Sequence, residues 1–79
     1  MRGNIRPKLQ QDDLRQRLAR TEEYILEAKR LIHEQRIKVY SLQLRGADTL
    51  LAEHRLDELL KSQTLHQEQW NALLRELRR

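Results

Sequence analysis

Cysteine is absent from the chain, which removes disulfide staples, thiolate metal sites and cysteine nucleophiles together. Two glycines and one proline leave little material for turns. No apolar run approaches the length of a membrane span, and the opening MRGNIRPKLQ lacks a signal peptide's apolar segment. A cytoplasmic protein is therefore the expectation. No nucleophile elbow and no Gly-rich phosphate loop occur, and Ser41 and Ser62 fall on helix surfaces without a plausible base. His33, His54 and His66 invite a metal hypothesis. The Glu-x-x-His pairs of bundle metal sites are missing, however, because Arg30, Leu51 and Gln63 stand three residues before them. Neither an enzyme nor a cofactor is expected. Glu22, Glu27, Glu34, Asp57 and Glu58 lie near bases three or four residues away, as on a solvated helix.

What is present is charge and leucine. The chain is 35% charged and 38% hydrophobic over 79 residues, the composition of one small domain built from long exposed helices. The net charge of +4 is unevenly spread. Residues 1–20 hold six bases against two acids, residues 21–47 five against four, and residues 48–79 five against six. A second small basic cluster closes the chain at Arg75, Arg78 and Arg79.

Apolar spacing defines two helices. Leu14, Leu18, Thr21, Ile25, Ala28, Ile32, Gln35, Val39 and Leu42 alternate at intervals of 4 and 3, a heptad seam widened by Tyr24 and Leu31. Ala52, Leu56, Leu59, Gln63, His66, Trp70, Leu73 and Leu77 repeat it, widened by Leu60 and Leu74. Between them Arg45-Gly46-Ala47-Asp48 reads as a stop, a spacer and a start. Glycine takes the left-handed conformation that ends helices, and Asp48 or Thr49 can cap the next one. The expected fold is all-α, a coiled-coil-like antiparallel hairpin. Helix 1 covers about residues 8–44, the turn 45–48 and helix 2 about 49–78, with residues 1–7 as a flexible basic arm. Heptad phase alone also allows one continuous helix, whose seam would run through Thr49, Glu53, Leu56, Leu60, Gln63, Gln67, Trp70, Leu74 and Leu77. The hairpin is preferred because it covers half its own apolar surface and keeps Glu53 and Gln67 off the seam.

Folded about Gly46 and Ala47, the hairpin pairs Leu42 with Ala52, Val39 with Leu56, Gln35 with Leu59 and Ile32 with Gln63. Ala28 then faces His66, Ile25 faces Trp70 and Leu18 faces Leu77. Gln35 and Gln63 are read as polar seam residues that fix register. Trp70 is read as a core anchor, and Tyr24 and Tyr40 as flanking residues with hydroxyls in water.

Helix 1 carries a second apolar stripe. Leu26, His33, Ile37, Tyr40 and Leu44 are spaced 7, 4, 3 and 4, at about 150° from the first seam. Leu50, Leu51 and Leu65 also fall outside the seam of helix 2. Such a face calls for a protein partner, either a second copy or a groove on a larger protein that completes a helical bundle. The alternative is a nucleic-acid-associated protein. Arg2, Arg6, Lys8, Arg15, Arg17, Arg75, Arg78 and Arg79 would gather at the open end and contact phosphates. No membrane partner and no small-molecule substrate are expected.

Leu18 to Leu77 resembles a group of short, uncharacterised proteobacterial helical-hairpin proteins. The features are a first helix around RTEEYILEAKRLIHEQR, the turn Gly46-x-Asp48-Thr49, and the pair Leu65-His66 in the second helix. Leu50 and Leu51 depart from the small or acidic residues of that pattern. The resemblance implies the hairpin and no chemistry.

Overall fold

The computed structural model describes the backbone from Ile5 to Arg79 and the side chains from Gln10 onward. Helix α1 spans Ile5–Leu44 and helix α2 spans Leu50–Leu77, and they pack against each other as a hairpin 68 × 15 × 14 Å in extent. Both are rich in good helix formers and neither contains a glycine. The first helix starts at Ile5 rather than near residue 8. Pro7 thus lies in its first turn, where backbone N–H groups have no helical acceptor and a missing donor costs nothing. Of the arm expected over residues 1–7, residues 1–4 lie outside the described residues, and residues 5–7 are helical.

The chain reverses through a defined hydrogen-bond pattern. Gly46 has φ +69°, the left-handed region. Its N–H donates to the Gln43 carbonyl at 3.0 Å, and the Ala47 N–H donates to the Leu42 carbonyl at 3.0 Å. This pair of bonds is a Schellman closure, which satisfies carbonyls that the end of α1 would leave unpaired. Thr49 then occupies the cap position of α2, and its carbonyl accepts from the Glu53 N–H at 2.8 Å. The Thr49 side chain makes no capping bond. Asp48 supplies it, its Oδ1 accepting from the Leu50 N–H at 3.0 Å. Asp48 is therefore the capping side chain of the two candidates.

The two predicted seams meet. Thr21, Ile25, Ala28, Ile32, Val39, Ala52 and Leu59 are buried. Leu14, Leu18, Leu31, Gln35, Leu42, Leu56, Leu60, Gln63, His66, Trp70, Leu73, Leu74 and Leu77 are half-buried. Thr21 resolves its buried hydroxyl locally, donating to the Arg17 carbonyl at 2.8 Å. Tyr24, expected to flank the seam, stands 52% exposed at its edge.

The layers differ from those of a fold centred on Gly46 and Ala47. Gln35 Nε2 donates to the Ala52 carbonyl at 2.9 Å, two turns closer to the loop than Leu59. His66 lies against Tyr24, with ring centroids 5.4 Å apart. Ile25 and Trp70 do meet, lining one shallow cavity. The shift follows from the closure, which folds the chain back beside the last turn of α1. Asp48 accordingly shares a cavity with Leu42, Gln35 and Lys38.

A Cβ added at Gly46 would meet nothing within 4 Å, so the cost of a side chain there is purely conformational. Gly46→Ala should destabilise the hairpin by about 1 kcal/mol, and Gly46→Asn by less. Urea unfolding followed by circular dichroism measures both; an unchanged midpoint for Gly46→Ala would contradict the closure.

Candidate interaction surface

Because α2 covers one side of α1, the rest of α1 faces outward. Leu26, Ile37, Tyr40 and Leu44 are between 55% and 70% exposed, and His33 on the same line is exposed too. At ~100° per residue these five side chains fall within a strip about 60° wide, roughly 140° from the buried seam. The structure thus brings the five α1 members of the predicted interface onto one line.

The two α2 members separate from it. Leu51, 85% exposed, lines a cavity with Gln35, Lys38, Leu42, Ala52 and Arg55. That cavity opens on the flank of the hairpin away from the α1 stripe. Leu50 is exposed beside the loop and Leu65 farther along α2, each without an apolar neighbour on its own line. Leu51 and Leu50 therefore flank the loop as separate apolar points.

One contributor escaped the sequence reading. Trp70 is only half-buried, and its indole Nε1 donates to Glu22 Oε1 at 3.0 Å across the hairpin. With Glu22, Ile25, Gln67 and Leu26 it lines a shallow cavity of about 330 Å³. The stripe on α1 therefore continues sideways, through Leu26, into a groove floored by the indole. Its signal in the sequence was the size of tryptophan against the slender seam of two helices.

The charged border of the stripe is asymmetric. Arg30 is clamped on one edge: its guanidinium bonds Glu27, with Nε to Oε2 at 3.1 Å, and it also bonds Glu34. The bond from Arg30, opposed in part by desolvation and aided by its charge, holds the Glu27 carboxyl below the usual carboxylate range. The same bond to Glu27, then the charges of Glu27 and Glu34, raise the Arg30 guanidinium above its ordinary value. On the other edge lie Lys29 and Arg36, exposed and without an ion pair among the described residues.

Elsewhere the predicted site residues divide. Arg15, Arg17, Arg75, Arg78 and Arg79 are exposed, while the side chains of Arg2, Arg6 and Lys8 lie outside the described residues. Arg17 and Arg20 line a cavity with Tyr24, Gln69 and Leu73, so α1 bases do come beside the C-terminal part of α2. Arg17 pairs with Asp13 and Arg79 with Glu76, both at 3.7 Å and both exposed, which makes these weak pairs.

Ser62 corrects an expectation: it is half-buried and its Oγ lies 3.3 Å from His66 Nε2. The pair lacks the other parts of a nucleophilic site. His66 Nδ1 is buried with no hydrogen-bond partner, so no third group holds the imidazole from its far side. Both residues sit within one helix, whose backbone N–H groups are committed to its own carbonyls. Among the described residues no three His, Asp or Glu side chains are placed to share a metal ion, and no helix is long and apolar enough to cross a membrane.

No family model, curated protein or solved structure matches the chain.

The orphaned Nδ1 has an energetic consequence. His66→Leu removes a buried nitrogen that has lost water without gaining a partner, and should stabilise the hairpin by about 1 kcal/mol. The denaturation midpoint checks this; a loss of stability would show that the Tyr24 stack and the Ser62 bond outweigh the unpaired nitrogen.

Proposed function

We propose that this chain is a non-enzymatic protein–protein interaction module. It self-associates or docks as a small accessory subunit of a larger assembly, through the outer stripe of α1. What supports the reading is a single observation: four large apolar side chains on one line of α1, each more than half exposed, on a helix whose opposite side α2 already covers. Scattered surface leucines are ordinary, but a line at coiled-coil spacing is a seam without its partner. His33 and Tyr40 suit such a seam, since each buries a ring while leaving a polar atom at the edge.

The alternative reading is a small basic protein that binds nucleic-acid phosphates. The approach of Arg17 and Arg20 to Leu73, near Arg75, favours it. That reading requires binding of labelled DNA or RNA that weakens steeply with salt.

Ile37→Glu with Tyr40→Glu places two carboxylates on the stripe without touching the internal seam. Wild-type protein should sediment above the monomer mass, alone or with a co-purifying protein. The double variant should sediment as a monomer with unchanged helical circular dichroism. A wild-type monomer that retains no partner would remove the interface.

A further inference from the structure

The stripe on α1 has properties that select its occupant. We infer that it receives an amphipathic helix of a different protein, one whose apolar seam is bordered by carboxylates on the edge that meets Lys29 and Arg36. This inference rests on the protein-interaction reading and names the chemistry of the partner.

Width comes first. An apolar strip of about 60° is close to the narrow width of a coiled-coil seam, whereas a helix lying in a membrane surface presents a large apolar face. Charge comes second. From Ala28 to Ala47 the chain carries Lys29, Arg30, Arg36, Lys38 and Arg45 against Glu34 alone. Arg30 is already matched by Glu27 and Glu34. Lys29 and Arg36, seven residues apart and on the same edge, are exposed and have no ion pair among the described residues. A partner helix laid on Leu26, His33 and Tyr40 brings its own border residues against these two bases.

A second copy of this chain does not meet that requirement. In an antiparallel pairing of two α1 stripes, like edges face each other. A two-fold axis near His33 sets Lys29 against Arg36 of the other copy, and an axis near Ile37 sets Arg36 against itself. In a parallel pairing the Lys29 and Arg36 edge meets the Glu27 and Glu34 edge of the other copy, but Arg30 already holds those carboxylates, and the two Arg30 side chains approach each other beside the seam. The outward line of α2 is no better as an occupant, since it reads Leu50, His54, Asp57, Lys61, Leu65 and Glu68, with no continuous apolar seam. Both helices of a second copy thus fail, one on charge and the other on apolar pattern.

The test uses the full chain and two synthetic peptides of four heptads, free of tryptophan, with Leu and Ile at the seam positions. One carries Glu at the border positions and the other Lys. Trp70 is the only tryptophan and shares a groove with Leu26, so its emission reports a helix laid on that end of the stripe. The Glu peptide should bind about tenfold more tightly than the Lys peptide, the effect of two border pairs changing sign. Lys29→Glu with Arg36→Glu should reverse that order, and Ile37→Glu with Tyr40→Glu should abolish binding of both. Equal affinities, or an order that survives the charge reversal, overturn the inference. A wild-type homodimer dispersed by Ile37→Glu with Tyr40→Glu also overturns it while leaving the interaction reading intact. If neither peptide binds and the protein is a monomer, both fall. Binding to phosphatidylserine vesicles that depends on Ile37 and Tyr40 likewise overturns both and assigns the stripe to a membrane surface.

Discussion

The hydrogen bond from the Ala47 N–H to the Leu42 carbonyl is the constraint on which the hairpin depends. It exists because Gly46 accepts φ +69°, a conformation that a side chain would strain. With the chain turned there, Asp48 comes beside Leu42, and α2 begins alongside the last turn of α1. The depth of that return sets which side chains meet farther along. Gln35 reaching the Ala52 carbonyl, Tyr24 stacking on His66 and Trp70 bonding Glu22 are each a consequence of it.

A pair of helices has one shared seam and four uncovered sides. Among the described residues no large side chain is fully buried, so the hairpin's cohesion comes from a line of small and medium residues such as Ala28, Val39 and Ala52. That geometry explains why Trp70 ends half-buried: two cylinders meeting along a line leave no chamber for an indole. It also leaves the outer stripe of α1 outside the seam.

The fold was legible because the heptad spacing states which residues face inward, and burial follows that spacing from Leu14 to Leu77 without an exposed exception. Gly46 and Asp48 carried the reversal, since each supplies something few residue types can: a positive φ and a short side-chain acceptor. The cross-helix partners were legible only in part, for Ile25 with Trp70 and Leu42 with Ala52, which line shared cavities. Spacing fixes the rotation of each helix about its own axis but not the axial offset between them, which the loop closure decides. Gln35 with Ala52 in place of Leu59 is the result. Leu51 was grouped with the α1 stripe because it lies outside the α2 seam, but it lines a cavity with Gln35, Lys38 and Leu42 instead. Ser62 and His66 show a further limit. They are four residues apart on one helix, and only the half-buried position of both reveals that they bond each other.

The two cross-helix side-chain hydrogen bonds among the described residues close very different lengths of chain, with separations of 17 positions for Gln35 and Ala52 and 48 for Glu22 and Trp70. Closing the longer segment from an open chain costs about 1 kcal/mol more in entropy than closing the shorter one. Once the inner contact has formed, however, most of that difference has already been paid, and the outer contact adds only the ordering of the residues between. Of the two, the Gln35 contact nearer Gly46 is therefore the cheaper one to form from an open chain, and the Glu22–Trp70 contact draws on it.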